Sequence, residues 1–291
     1  MKNEAGFTPQ ATVAVVGGMN LDILGVPDSA LLPRDSAPGK ITLRPGGVGR
    51  NIAARLQQLG CRACLITALG ADARAEMLKE MCRRDGIDLS LSVQTDEGAP
   101  CYLCIHDEQG DMALAVNDMS AMDALTPEAL SGRMDRINAA DACVLDANLS
   151  AGTLSFIARH ASVPLILDPV SCFKAPRVLE ILPRLTAIKP NRLEAEALTG
   201  EKNVERAADK LLSRGVQNVF ISLGPEGAYY ASRQEKGYVP AHPLPALPQT
   251  GAGDALCAGI TLALLRGLSP REACQAGCEA AYRALSGKNL S

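Results

Sequence analysis

Short apolar runs rich in Val, Ile and Leu alternate along the chain with longer stretches whose apolar residues recur at helical spacing. The runs at 12–16, 62–67, 142–145, 164–167, 186–188 and 219–222 predict strands, and the stretches at 52–59, 73–84, 152–160, 193–198 and 204–214 predict helices. Strand and helix in regular alternation predict an α/β fold: a mainly parallel central sheet with helices on both faces. Two stretches break the alternation. Residues 21–43 and 90–116 read as strands and turns without helices, with Gly98 and Gly110 as punctuation. They suit either a small β-lid or an extension of the main sheet. No internal repeat, low-complexity tract or long linker interrupts the chain, so residues 1–291 are expected to form one domain.

The segment Pro248-Gln249-Thr250-Gly251-Ala252-Gly253-Asp254-Ala255 opens an apolar run that reaches Leu265 and stops before Gly267 and Pro270. It predicts a buried helix with a glycine-flanked start. A helix N-terminus presents unpaired N–H groups and the positive end of the helix dipole, which favours an anion there. Asp254 falls in that first turn. A carboxylate beside a phosphate site has the wrong charge to bind phosphate, but it can receive the proton of a hydroxyl that attacks the phosphate. The same residue also reads as an N-terminal cap. A helix N-terminus is expected to hold Asp254 ionised.

A second constellation lies near the start. The strand at 12–16 runs through Gly17-Gly18 to Met19-Asn20-Leu21-Asp22, and Asn20 and Asp22, two apart, share one face of an extended chain. Arg44-Pro45-Gly46-Gly47-Val48-Gly49-Arg50-Asn51 then leads into the helix at 52–59. A carboxylate, two amides and bare glycine backbone suit a polyhydroxylated ligand, because Asp22 can accept from two adjacent hydroxyls. Asp168 and Asn148 are expected at carboxyl ends of strands, where open α/β sheets bind ligands, or else as loop caps. Lys189 and Arg192 flank Asn191; they suit either a contact with phosphate or, as the favoured reading, a solvated pair.

Taken in order, these segments resemble the ribokinase-like (PfkB-type) sugar and nucleoside kinases. The resemblance covers nearly the whole chain. It rests on the glycine-rich segment at 45–51, Asn191-Arg192-Leu193-Glu194, the strand ending Ile221-Ser222-Leu223-Gly224, and Gly251-Ala252-Gly253-Asp254. Within the family, Pro45-Gly46-Gly47-Val48-Gly49-Arg50-Asn51-Ile52-Ala53, Asn117-Asp118-Met119, Asp168-Pro169-Val170-Ser171 and the run 189–196 are most similar to the pseudouridine-kinase branch. The run from Val48 to Asn51 departs from the usual text of simple-sugar kinases.

The resemblance implies a ribokinase-like fold with a β-lid and transfer of the ATP γ-phosphate to the 5′-hydroxyl of pseudouridine. Ribose or another sugar or nucleoside is the alternative acceptor. It makes Asp254 the catalytic base and Gly251, Ala252, Gly253 and Asp254 the anion hole. Asn20, Asp22, Gly46, Gly47 and Asn51 would hold ribosyl hydroxyls, and Asn117 and Asp118 are the candidates for reading the base. Asn191 and Glu194 would organise Mg²⁺ and its waters near the ATP phosphates, while Ser222, Gly224 and Gly227 would line the nucleotide. It also implies a homodimer through the lid. Six positions before the base, where many relatives carry an acidic or amide residue, stands Pro248, which leaves binding of K⁺ open. Many such kinases add a helix or strand after the one expected here at 271–285, and this sequence stops at Ser291.

Composition narrows the alternatives. A formal charge of −3 and an aromatic content of 3% without Trp give no footprint for nucleic acid or an anionic membrane. No apolar run approaches the roughly 20 residues of a membrane span, and the first five residues lack the apolar core of a secretion signal, so a cytoplasmic location is expected. The ten cysteines include Cys61-x-x-Cys64 and Cys101-x-x-Cys104, too far apart for a zinc ribbon and in strand-like text, so free thiols are expected. The three histidines, His106, His160 and His242, show no metal spacing and read as ordinary residues. A dinucleotide-dependent oxidoreductase needs Gly-x-Gly-x-x-Gly after the first strand, where this chain has Gly17-Gly18-Met19-Asn20. A sugar-binding sensor without catalysis would have no need of Asp254.

Overall fold

The computed structural model describes residues 10–243 and 251–287; Pro248, and with it any cation-binding loop there, lies outside the described residues. The strands in chain order are β1 (Thr12–Val16), β2 (Asn20–Pro27), β3 (Gly39–Gly46), β4 (Arg62–Ile66), β5 (Ala68–Leu69), β6 (Val93–Gln94) and β7 (Cys101–His106). They continue with β8 (Met112–Asp118), β9 (Ala142–Asp146), β10 (Leu165–Asp168), β11 (Ala187–Ile188), β12 (Asn218–Ser222), β13 (Ala228–Ser232) and β14 (Lys236–Val239). The α-helices are α1 (Val48–Gln58), α2 (Ala73–Arg84), α3 (Pro127–Ser131), α4 (Met134–Asn138), α5 (Ala151–His160), α6 (Arg192–Thr199), α7 (Val204–Ser213), α8 (Ala252–Leu265) and α9 (Pro270–Leu285).

Eight strands form the central sheet in the order β14-β13-β12-β11-β10-β9-β1-β4. From β12 to β4 every pairing is parallel. Successive side chains of a strand point to opposite faces, and the two cores follow that period. Ala14, Val16, Cys143, Leu145, Leu165 and Leu167 join one apolar cluster, which the helices α3 to α7 cover. Val13, Val15, Ala142, Val144 and Ile166 join the other, covered by α1, α2, α8 and α9. This is the α/β architecture, a mainly parallel sheet with helices on both faces, expected from the alternation of strand and helix text. Among the described residues no helix is long and apolar enough to cross a membrane.

The edge hairpin β13–β14 is antiparallel and went unpredicted, because Ala228-Tyr229-Tyr230-Ala231-Ser232 is buried throughout and carries no alternation. Helix α1 starts at Val48, earlier than its apolar stripe suggested, since Gly47 takes the N-cap position without a capping side chain. Nine of the ten cysteines are buried or half-buried, Cys172 is exposed, and all are free.

The two helix-free stretches supply a second, four-stranded sheet in the order β3-β2-β7-β8. It runs a little beyond the expected limits, to Gly46 and Asp118, and the short β6 belongs instead to a separate pairing with β5. Arg44, Asp22, Tyr102 and Asn117 stand opposite one another across it and share a face. Leu43, Ile23, Leu103 and Val116, one residue along, share the other.

Candidate active site

Carboxyl ends of the parallel strands deliver the chemistry, as they do in open α/β sheets generally. Asp146 ends β9, Asp168 ends β10, Lys189 follows β11 and Ser222 ends β12. Asp146 is fully buried and gathers three backbone N–H groups: Gly18 at 2.8 Å, Gly49 at 2.7 Å and Asn148 at 2.9 Å. It thereby ties the turn after β1 to the first turn of α1. Sequence reasoning passed over this residue, although its place one residue past an apolar strand run is the same signal that marked Asp168.

A cleft of about 910 Å³ opens over these strand ends. Its walls bring together Gly251, Ala252, Gly253 and Asp254 from the start of α8 with Asn191, Glu194, Ser222, Gly224 and Gly227. Gly251 is the N-cap of α8 at φ 82°, a left-handed conformation that glycine adopts without steric cost. The turn ends with the N–H groups of the first helical residues unpaired within the helix and facing this region. Asn191 and Glu194 form a reciprocal capping box on α6. The Asn191 Oδ1 accepts from the Glu194 N–H at 2.8 Å, and the Glu194 carboxylate accepts the Asn191 backbone N–H and side-chain amide, each at 2.8 Å.

The residues expected to hold the acceptor lie on β2, β3 and α1. The Asn51 Nδ2 donates to Asp254 Oδ2 at 2.9 Å, a contact across the α1–α8 interface that the motif spacing did not show. Asn20 Nδ2 donates to Asp22 Oδ1 at 2.5 Å, so the pair shares a face as its spacing required. Gly46 pairs with Asn20 in the β2–β3 ladder and lies against the Asp22 carboxylate. Burial raises the Asp22 carboxyl above its usual range, against the Asn20 hydrogen bond and the charges of Arg44 and Arg50.

Asn117 and Asp118 do not act as a pair. They are successive residues of β8, so their side chains take opposite faces, and Asn117 is the one on the face of Asp22. Asp118 is drawn into the next turn, where it accepts from the Ser120 N–H at 3.2 Å and hydroxyl at 2.8 Å.

Three sequence readings change here. Asp254 was expected to be held ionised by the helix N-terminus. Burial first, and the neighbouring Asp168 second, instead push its carboxyl up to about 7, against the Lys189 charge and the Asn51 hydrogen bond. Lys189 was read as solvated, yet it is 5% exposed and its Nζ lies 2.8 Å from Asp168 Oδ2. Burial works against its charge, but the pairing with Asp168 prevails and the ammonium is held above its ordinary range. Arg192, by contrast, is on the surface with Glu226. His242, read as an ordinary residue, lines the cleft and meets Glu279 at 3.0 Å; it sits on a loop with no pattern to mark it.

Comparison with known proteins agrees with this geometry. Residues 10–290 match the pfkB family carbohydrate kinase profile. The chain is 36% identical to the pseudouridine kinase of Escherichia coli (strain K12), over 88% of this chain and 84% of the relative. It is 30% identical to the ribokinase of Staphylococcus aureus (strain COL), over 72% and 71% of the two chains. The crystal structure of a ribokinase from Thermotoga maritima superposes with a TM-score of 0.84 at 27% identity, covering 95% of this chain and 93% of that one. A half-buried carboxylate at a helix N-terminus, inside a cleft built on strand ends, suits a phosphoryl-transferring member of such a family. The chain belongs to the pfkB family of carbohydrate kinases and is a phosphotransferase that acts on a hydroxyl group.

Proposed function

We propose that this chain transfers the γ-phosphoryl group of ATP to the 5′-hydroxyl of pseudouridine. The observation that carries the reading is the Asn51–Asp254 hydrogen bond. It joins the glycine-rich segment most similar to pseudouridine kinases to the base itself, so one residue links acceptor side and chemistry. The E. coli relative at 36% identity supports the choice of acceptor.

In this reading Asn20, Asp22, Gly46, Gly47 and Asn51 hold the ribosyl hydroxyls and leave the 5′-hydroxyl beside Asp254. Asp254 orients that hydroxyl and takes its proton as the new O–P bond forms and the bond to the ADP oxygen breaks. The N–H groups of Ala252, Gly253 and Asp254 meet the charge on the equatorial oxygens. Ser222, Gly224 and Gly227 line the nucleotide. Mg²⁺ supplies charge neutralisation on the phosphates when bound. Among the described residues no group of three or more His, Cys, Asp or Glu side chains is arranged to hold a metal. Mg²⁺ commonly binds through one or two carboxylates, waters and substrate phosphates, and Glu194 with Asn191 suits that role.

Pseudouridine joins its base to the ribose through carbon and presents a ring N–H where uridine has its C5–H. A site that selects it places an acceptor there, and Asn117 is the member of the Asn117–Asp118 pair on the face of Asp22. Uridine would leave that acceptor unpaired, at about 1–3 kcal/mol. The test compares kcat/KM for pseudouridine and uridine in the parent, Asn117→Ala and Asp118→Ala. Asn117→Ala should lower the ratio about 5-fold or more and Asp118→Ala should leave it unchanged. A parent that uses both nucleosides equally would remove the acceptor assignment.

The outward face of the four-stranded sheet is apolar and open: Ile41 is 77% exposed, Leu114 68% and Val116 66%. Such a patch marks an interaction surface, and in this reading a second copy of the chain covers it through the lid.

A further inference from the structure

The cleft holds a cation that the reading above leaves without a task. Lys189 is the lone lysine or arginine among its described lining residues. Its ammonium carries three N–H donors, and among the described residues its one hydrogen-bonding partner is Asp168. The Nζ lies 3.1 Å from the position a Cβ would take on Gly253. The ammonium is thus seated directly against the α8 turn whose N–H groups form the anion hole, and any side chain at Gly253 would crowd it. Arg55 also approaches that turn, at 4.0 Å from the Cβ position of Gly251, but its guanidinium is bonded to Gln58 on its own helix.

Lys189 is also fixed in place. Asp168 gives one oxygen to its Nζ at 2.8 Å and the other to the Val170 N–H at 2.8 Å. Val170 itself has φ 68°, and Ser171 N donates to Pro169 O at 2.7 Å across it, a three-residue turn that strains a β-branched side chain. Strain of this kind persists where the surroundings over-determine it and concentrates at functional sites. Here it pins the carboxylate that aims the lysine.

We infer that Lys189 is a further catalytic residue, whose ammonium, held by Asp168, donates a hydrogen bond to the phosphoryl group in transit beside the N–H groups of Gly253 and Asp254. The acceptor O–P bond forms, the bond to the ADP oxygen breaks, the acceptor proton passes to Asp254, and Lys189 keeps its own proton throughout. The inference rests on phosphoryl transfer in this cleft and not on which acceptor is used.

The experiment measures calorimetric affinity for Mg·ADP, alone and with aluminium fluoride as a mimic of the transferring group, together with kcat. It compares the parent with Lys189→Met, Lys189→Arg and the double variant Lys189→Met, Asp168→Asn, which leaves no unpaired buried charge. The expected result is Mg·ADP affinity within about 3-fold of the parent, with the extra affinity from aluminium fluoride reduced about 10²–10³-fold in both Met variants and kcat falling in parallel. Lys189→Arg should recover part of both. Undiminished tightening by aluminium fluoride in the double variant would overturn the inference. So would an equal loss of Mg·ADP affinity, which marks a structural role, or a parent that gains nothing from aluminium fluoride. Failure on the acceptor alone, with this pattern intact, would discard pseudouridine and keep Lys189.

Discussion

Asp254 sits where two influences oppose each other. The helix start and Lys189 favour its carboxylate, while burial and Asp168 favour the acid, and burial prevails, leaving the group titrating at about 7. Only the carboxylate takes a proton, so kcat/KM should rise with pH through about 7 and level off above it. A flat profile across that range would contradict the assignment. For stability the sign is reversed. The folded value lies above the ordinary 3.8, so the stabilising contribution is complete below 3.8 and is lost as pH rises through about 7. Asp254→Asn should therefore flatten the loss of thermal stability between about pH 5 and about pH 8. The same variant should bind both substrates and lose about 10²–10⁴-fold in turnover. Asp22→Ala should weaken acceptor binding and leave ATP binding alone, because it lies on β2 and is not among the residues that line the cleft with Ser222, Gly224 and Gly227. Asn51→Ala should do more than that, since it also strips Asp254 of a hydrogen bond that favours the carboxylate, and its acid limb should move to higher pH. Equal losses of ATP affinity in both variants would mark them as supports of the fold.

At the scale of elements, α8 carries the site. Its apolar run, glycine start and Gly267–Pro270 stop made it legible from the letters, and α2 agrees with its text to the residue. The candidate residues whose placement was legible came with such elements: Asp254 in a helix's first turn, and Asn20 with Asp22 at strand spacing. What stayed hidden depends on contacts between elements. Lys189 looks solvated until β10 and β11 lie side by side and bring Asp168 to it, and β13 has no period to read because both its faces are covered. Gly251→Ala tests the element directly. Alanine at φ 82° is strained by about 1 kcal/mol or more, so Tm should fall roughly 2–4 °C. Turnover should fall with it as the anion hole shifts. Unchanged turnover in that variant would show that the α8 turn holds no phosphoryl group.

The whole molecule divides into a three-layer body and a small sheet with one polar and one apolar face. Exposed β-sheet surface of that kind invites association, and Ile41→Asp or Val116→Asp should shift sedimentation from dimer to monomer at concentrations where the parent is dimeric. A monomeric parent would count against the lid as an interface. The central claim concerns the acceptor, and it is tested by ADP release from ATP across pseudouridine, uridine, cytidine, adenosine, ribose and fructose. The account predicts the highest kcat/KM for pseudouridine, about 10-fold or more above uridine. Ribose or uridine used as efficiently as pseudouridine would contradict it.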